Sequence, residues 1–250
     1  MPLQRLIPMF LIDENGQLVK TRKFKKRKYV GDPIVALRLF NDLGADEVSI
    51  FFIGDGSRNI VKPPLGLLED ISGEALMPLS YGGSLHEPQD ALDVISLGFE
   101  KVIYSASRLI DGTDIPAVVD ALGAQSVSIC VNYEETIFSG RIVKCHKSGN
   151  KLGKISQMTK MASDAGAGEV ILQNISREGE FTGLDWKVVN EVSSNFKAPI
   201  ILSGGLSELS ELDNEVCKAI SGIAAGSFFV FSGQRRGVLI SYPDDRERNI

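Results

Sequence analysis

The chain has 250 residues, of which 43% are hydrophobic, so it can bury one large core as a single domain spanning residues 1–250. Its formal net charge of −5 argues against a nucleic-acid-binding protein, which would carry a basic face. Three cysteines without a CxxC spacing and only two histidines argue against a disulfide framework or a zinc site. We therefore expect no metal and no cofactor.

The first apolar run, residues 6–12, is too short to span a membrane and is not followed by a small-residue cleavage site. No run of about 18 apolar residues occurs elsewhere in the sequence. The sequence therefore predicts a cytoplasmic protein that does not associate with membranes.

Short apolar, β-branched runs alternate with helical patterns along the whole chain. Eight of these runs are strand candidates, at residues 6–12, 47–53, 77–81, 101–105, 127–131, 169–174, 200–203 and 222–226. The clearest helix begins at Asp32, an N-cap followed by Pro33 at the first helical position, and ends at Gly44. Eight βα units predict a closed (β/α)8 barrel, and an open doubly wound sheet is the alternative.

Short motifs recur in the chain at a shared offset of 121 or 122 residues, close to half its length. The matching pairs are Gly44-Ala45 with Gly166-Ala167, Pro78 with Pro199, Gly82-Gly83 with Gly204-Gly205, and Ser105 with Ser227. A repeat at half the chain length predicts two (βα)4 half-barrels that close on each other.

Glycines and serines follow the third, fourth, seventh and eighth predicted strands. In a barrel these positions lie at the C-terminal face, where glycine lets the backbone approach an anion and free N–H groups donate to it. We expect a phosphate group to bind in each half of the barrel. The predicted phosphate-binding residues are Gly82, Gly83 and Ser105 in one half, and Ser203, Gly204, Gly205, Gly226 and Ser227 in the other. Alternatively, the glycines only form tight turns.

Several stretches resemble HisF, the cyclase subunit of imidazole glycerol phosphate synthase. They include residues 5–8 (RLIP), 15–20 (NGQLVK), 31–33 (GDP), 166–169 (GAGE) and 203–205 (SGG), and the similarity extends to about residue 232. The resemblance implies a barrel that receives ammonia from a HisH-like glutaminase at its N-terminal face and passes it along the axis. Ser84 and Ala106 replace a glycine and a threonine of the family, which weakens the phosphate site expected at Gly82-Gly83.

The same resemblance places catalytic aspartates at positions that are Leu11 and Asn132 here, and a further family aspartate at Phe52. A positioned acid or base contributes roughly 10²–10⁴-fold to a rate, which leucine and asparagine cannot supply. The mobile-loop lysine of the family is retained as Lys20. Asp13 is the one candidate for a substitute base, so the sequence assigns no catalytic residue.

At the opposite face, the resemblance carries over a ring of four charged residues without substitution. The ring residues are Arg5, Glu47, Lys101 and Glu169. Two cations and two carboxylates can form a closed ring of ion pairs that opens to pass a small neutral molecule. Charges that only aid solubility are the alternative. Above the ring, the residues expected to line an apolar route are Ile7, Met9, Ile50 and Ile129, and Glu100 is expected to face the glutaminase.

A narrower resemblance is to WbuZ-like barrel paralogs that are associated with glycosyl amidation in surface-polysaccharide synthesis. It rests on residues 18–21 (LVKT), 28–33 (KYVGDP), 77–83 (MPLSYGG) and 226–231 (GSFFVF). It implies that the barrel supplies ammonia to an ATP-dependent sugar amidotransferase. The basic run at residues 22–28 suits a phosphorylated or nucleotide-sugar ligand or an acidic partner surface, and a solvated loop is equally compatible with it.

Three functions therefore remain. The first is a non-cyclising, ammonia-conducting subunit of a glutamine amidotransferase complex; the second is a true cyclase (a lyase) of histidine biosynthesis; the third is a scaffold that regulates a glutaminase without conducting ammonia. Leu11 and Asn132 favour the first function over the second. The intact ring favours the first over the third.

Overall fold

A computed structural model describes residues 4–54, 62–112, 114–136, 139–194, 196–233, 235–244 and 247; the predicted domain bounds, residues 1 and 250, lie outside these ranges. Eight parallel strands form a closed barrel, as predicted. They are β1 (Arg5–Ile12), β2 (Val48–Phe52), β3 (Leu79–Gly82), β4 (Lys101–Ser105), β5 (Val127–Thr136), β6 (Glu169–Asn174), β7 (Ile200–Ser203) and β8 (Gly222–Ala225). Each strand pairs with the next, and β8 pairs back with β1 from Arg5↔Gly222 to Pro8↔Ala225.

Among the described residues, six α-helices follow the first six strands. They are α1 (Pro33–Asp42), α2 (Leu65–Glu74), α3 (Pro88–Ser96), α4 (Ile115–Leu122), α5 (Ile155–Asp164) and α6 (Lys187–Val192). The predicted start of α1 is confirmed, because the Asp32 carboxylate accepts the N–H groups of Ile34 and Val35 at 2.9 and 3.0 Å. After β7 the chain forms two 3₁₀ segments, Leu209–Asp213 and Glu215–Ala219. Shorter 3₁₀ segments lie at Ala106–Leu109 and Ala124–Ser126.

Additional short strands, which the sequence did not predict, extend the sheet beyond the barrel. Strands Leu18–Lys20 and Lys28–Gly31 form a hairpin that pairs antiparallel with the end of β1. Strands Gly140–Lys144 and Lys151–Lys154 continue antiparallel from the end of β5. The basic run at residues 22–28 connects the first hairpin and enters its second strand. A final two-stranded ladder joins Phe231–Ser232 to Gly237–Val238.

The apolar core has two layers, one between the strands and the helices and one inside the barrel. The inner layer comprises Ile7, Met9, Ile103, Cys130, Ile171, Ile201 and Ala224, with Phe51 packed against it. Two of the predicted lining residues, Ile7 and Met9, lie in this layer. The other two, Ile50 and Ile129, were predicted wrongly, because both belong to the layer that packs against the helices. Side chains alternate along a strand, so the neighbours Phe51 and Cys130 face inward instead.

Two glycines at the C-terminal ends of β3 and β7 bring the chain unusually close to the preceding strand. Gly83 has φ 122°, and a Cβ there would lie within 3.0 Å of the Phe52 carbonyl oxygen. Gly204 has φ 94°, and its Cβ would lie 2.5 Å from the Asn174 carbonyl oxygen. The two half-barrels thus use glycine for the same close approach, which gives these residues a structural role of their own.

We expect Gly83→Ala to destabilise the fold by at least about 2 kcal/mol, because the methyl group meets a backbone carbonyl and the positive φ disfavours an L residue. Gly66→Ala is the matched control. Gly66 lies in α2 with nothing within 4 Å of its Cβ position, so the substitution should stabilise by about 0.5–1 kcal/mol. Denaturant unfolding measures both, and equal effects of the two substitutions would contradict the close approach.

Candidate functional site

A cavity of about 440 Å³ opens at the C-terminal face of the barrel. It is bounded by the strand ends, the hairpin loop after β1 and the loop after β6. All eight residues predicted to bind phosphate line this one cavity: Gly82, Gly83, Ser105, Ser203, Gly204, Gly205, Gly226 and Ser227. The structure thus brings the two halves of the repeat to a common site, while their binding role stays a prediction.

The β7–β8 side of the cavity is built mainly from backbone. Gly204 and Gly205 both have positive φ, and a Cβ on Gly205 would lie 2.5 Å from the Gly183 carbonyl oxygen. After β8 the chain turns at once, because the N–H of Phe231 donates to the Ser227 carbonyl at 2.9 Å. The first N–H groups of such a turn have no partner within it, so they can donate to an anion.

The β3–β4 side is built differently. Ser84 follows the glycine pair and has φ 52°. Counted from the ends of β3 and β7, its counterpart in the other half is Gly205, with φ 102°. The Ser105 hydroxyl accepts the Ser107 hydroxyl at 3.2 Å and caps the 3₁₀ segment Ala106–Leu109. This half therefore offers side chains where the other half offers backbone.

Several basic side chains that the sequence did not predict as site residues surround the β3–β4 side. Arg108 donates to the Leu85 carbonyl at 2.8 Å and lies 2.5 Å from Nδ1 of His86. Burial and the neighbouring Arg108 and Lys147 charges lower the pKa of His86. His146 lies 3.5 Å from the Ser105 hydroxyl. These residues come from three separate loops. In the sequence the two histidines served only as an argument against a histidine-rich metal site, because two are too few.

The basic run at residues 22–28 divides between the cavity and the surrounding loops. Lys25 and Arg27 line the cavity, and Arg27 pairs with Glu14 at 2.5 Å. Arg22 and Lys23 instead pair with Glu180 in the loop after β6, at 2.5 and 3.3 Å. The run therefore both fastens the hairpin over the barrel mouth and adds positive charge to the cavity.

The positions of the cyclase aspartates also lie at this cavity. Leu11, Asn132 and Phe52 all line it, so the replaced groups would have pointed at a bound ligand. Asp13 is not among the lining residues, and its Oδ1 accepts the N–H groups of Asn15 and Gln17 at 3.0 and 2.9 Å. Asp13 therefore stabilises the turn after β1, and the geometry gives no support to its use as a substitute base.

Lys20 lies beneath the cavity wall, and its side chain is fully buried. Its Nζ donates to the Met9 carbonyl, and a Cβ on Gly226 would lie 3.3 Å from Nζ. Burial lowers the pKa of Lys20 to about 7, although the Glu178 charge opposes this shift. Lys20 can therefore hold or release a proton near neutral pH, next to the β8 turn.

Glu178 is the acidic partner of Lys20 and is itself buried. Burial raises its pKa, against the opposing effect of its hydrogen bonds. Its carboxylate accepts the Thr21 hydroxyl at 3.2 Å and the Phe24 N–H at 3.4 Å. The contact ties the hairpin after β1 to the loop after β6.

A closed ring of ion pairs lies at the opposite, N-terminal end of the barrel. Arg5 bonds Glu47 at 2.5 Å and also pairs with Glu169. Lys101 Nζ lies 3.2 Å from Glu47 and 3.6 Å from Glu169, so each cation bridges both carboxylates. Two hydroxyls on the inner side, of Ser80 and Ser128, donate to Glu47 and Glu169 at 3.1 Å each.

Within the described ranges, no helix has the length and apolar character needed to cross a membrane. Over the same residues, no cluster of three or more His, Cys, Asp or Glu side chains is placed to hold a metal ion.

The sequence of the chain is similar to those of several known proteins. A family model described as histidine biosynthesis protein matches residues 5–235. A Leptospira borgpetersenii protein with the provisional name imidazole glycerol phosphate synthase subunit HisF is 36% identical over 247 residues, covering 98% of this chain and 96% of the relative. A Pseudomonas aeruginosa protein provisionally named subunit hisF2 is 39% identical, covering 99% and 98%. The subunit HisF of Chlorobium phaeobacteroides is 29% identical, covering 91% and 90%.

The buried Lys20 should make folding stability depend on pH. Below about pH 7 Lys20 is protonated in both states, and the folded chain bears the full cost of the buried charge. Between about pH 7 and the ordinary pKa of 10.5, Lys20 is protonated in the unfolded chain and neutral in the folded chain. The free energy of unfolding therefore gains a positive slope in this window, of up to about 1.4 kcal/mol per pH unit. Denaturant unfolding at several pH values measures this slope, and the free energy of unfolding of Lys20→Met should lack it.

The exposed Lys160, which pairs with Asp164 at 2.9 Å, supplies the matched control. The variant Lys160→Met should keep the slope of the unchanged protein. Parallel curves for Lys20→Met and the unchanged protein would show that Lys20 titrates as an ordinary lysine.

Proposed function

This chain belongs to the histidine biosynthesis protein family, and from that premise we propose that it is the barrel subunit of a glutamine amidotransferase complex that conducts ammonia without closing an imidazole ring. The observation that carries the proposal is the order of the side-chain environments along the barrel axis. A closed charged ring stands at one end, an apolar layer follows, and the other end opens into a cavity without the cyclase carboxylates.

The ring and the layer above it suit a neutral molecule. Moving an ammonium ion into an apolar interior is costly, so a conducted species would be NH₃. The inner layer is built from aliphatic side chains, sulfur groups and Phe51. The ring would have to open briefly, and Lys101 is the weaker link, because its contacts of 3.2 and 3.6 Å are longer than the 2.5 Å contact of Arg5 with Glu47.

The residues at the upper end of the axis are suited to passing ammonia on and not to closing an imidazole ring. Leu11 has no proton to exchange, and Asn132 does not ionise, so neither provides the general acid or base that cyclisation requires. A carboxylate at either position would favour the ammonium form by charge, and Leu11 and Asn132 add no such charge. The retained Lys20 remains available as a proton carrier near neutral pH.

The N-terminal face carries features suited to a glutaminase partner. Leu76 precedes β3 and is 86% exposed, and Leu43 precedes β2 and is also exposed. Asn41 connects the two loops, because its Oδ1 accepts the Leu76 N–H at 2.9 Å. Exposed Glu100 adds a charge beside the ring. Apolar side chains with a polar rim are typical of a protein-binding surface.

The cavity suits a ligand with two anionic groups. One group would bind the backbone donors at Gly204, Gly205 and the turn after β8, and the other would bind near Ser105. The excess of basic side chains over Asp111 and Glu178 among the lining residues supports a phosphorylated or nucleotide-sugar ligand.

The reaction served by this ammonia would be amidation of a sugar in surface-polysaccharide synthesis, by an ATP-dependent enzyme that binds at or near the mouth. The support is the stretch-by-stretch similarity to WbuZ-like paralogs, together with Leu11, which fits that group better than the cyclase. The relatives named above carry the broader synthase name.

Lys101→Ala tests conduction. In a complex reconstituted with the HisH-like glutaminase and the amidating enzyme of the same genome, glutamine hydrolysis should continue while glutamine-dependent amidation falls several-fold. Added ammonium salt should restore amidation, because the lost step is delivery. Glutamate release and amidated product are measured side by side.

Lys160→Ala, on the outer helix α5, is the control and should remain coupled. If Lys101→Ala also remains fully coupled, conduction through the ring is abandoned and the scaffold function replaces it.

The loss of both cyclase carboxylates predicts that the purified protein makes no imidazole glycerol phosphate when ammonium salt and the cyclase substrate are supplied. The Chlorobium phaeobacteroides subunit serves as the positive control. Because positioned acids and bases contribute roughly 10²–10⁴-fold, any residual rate should lie at least about 100-fold below that of the control. Turnover equal to the control would instead favour the histidine-biosynthesis alternative.

A further inference from the structure

The Gln173 side chain is a buried amide at the top of the barrel axis. It is the last inward-facing residue of β6, is 4% exposed and lines the cavity. Its Oε1 is withdrawn from solvent and accepts no hydrogen bond from the described residues. Buried polar atoms in folded proteins nearly always have a partner, so an acceptor without one among the described residues is suited to a donor from a bound small molecule.

Strands β5 and β6 lead from the charged ring to this amide. Their inward residues are opposite each other in register, first Glu169 with Ser128, then Ile171 with Cys130, and finally Gln173 with Asn132. Four residues of strand span about 13 Å. The environment along this distance changes from charged, through apolar, to a pair of neutral amides.

The polar groups around Gln173 are already matched to one another. The Cys130 thiol donates to Asn132 Oδ1 at 3.6 Å, and burial raises the pKa of this thiol to about 12, so it keeps its proton. The Ser203 hydroxyl donates to the Met9 sulfur at 3.1 Å. Gln173 therefore retains a spare acceptor beside these neutral groups.

We propose that Gln173 Oε1 accepts an N–H group of ammonia at the upper end of the axis, so that Gln173 and Asn132 form the site from which ammonia enters the cavity. The inference rests on the proposed function, in which the barrel conducts ammonia. An amide oxygen accepts an N–H group without adding a negative charge. A carboxylate would stabilise ammonium, whose nitrogen lone pair is bound to a proton and cannot attack a substrate.

The test needs no partner enzyme. Side-chain amide resonances of ¹⁵N-labelled glutamine are followed while ammonium chloride is added to the full chain, with potassium chloride as the salt control. The Gln173 resonance, assigned by its loss in Gln173→Met, should shift saturably. At fixed total ammonium the shift should grow with pH, because the neutral fraction grows. Exposed Gln89, which donates to Asp93, is the internal reference.

Three results would overturn the inference. They are no Gln173 shift beyond the potassium chloride control, an equal shift of Gln89, or a shift that follows total ammonium and ignores pH. Failure here is distinguishable from failure of the proposed function. If Gln173 shifts saturably while Lys101→Ala stays fully coupled, the ammonia site is supported and conduction through the ring is rejected. If Lys101→Ala is uncoupled and Gln173 does not shift, conduction is supported and the ammonia site is rejected.

Discussion

The alternation of side chains along eight closed, parallel strands decides what lies on the axis of this barrel. Because β1 pairs with β8 on one side and β2 on the other, the inward face of every strand is fixed by register. Once Glu169 faces inward, Ile171 and Gln173 must do so as well. The charged ring, the apolar layer and the amide pair therefore all depend on the same strand register. A register slip of one residue would turn these side chains away from the barrel axis.

A contribution to folding stability does not by itself explain why these four charged side chains lie together at the end of the barrel. Desolvating four charges can cost more than their mutual attraction returns, and apolar residues of similar volume are often as stable. Here each cation bridges both carboxylates, and Ser80 and Ser128 complete the carboxylates' hydrogen bonds. This arrangement at the entrance to an apolar interior supports the proposal that the ring controls what enters.

Much of the fold could be predicted from sequence, because local patterns determine it. All eight strands and the start of α1 follow from apolar runs, turn residues and an N-cap. The inward or outward face of a central strand does not follow from its composition, because such strands are apolar on both faces; Ile50 and Ile129 were misplaced for this reason. The spare acceptor of Gln173 and the cluster around Arg108 depend on contacts between distant loops, which one sequence does not reveal.

The central claim is that ammonia reaches the sugar through the barrel and not through solvent. Isotope dilution tests this directly in the reconstituted complex, with amide-¹⁵N glutamine as substrate and a large excess of unlabelled ammonium in the buffer. Conduction predicts that the amidated product keeps the ¹⁵N label while the excess ammonium rises. A product whose label falls to the isotopic composition of the bulk ammonium would contradict it.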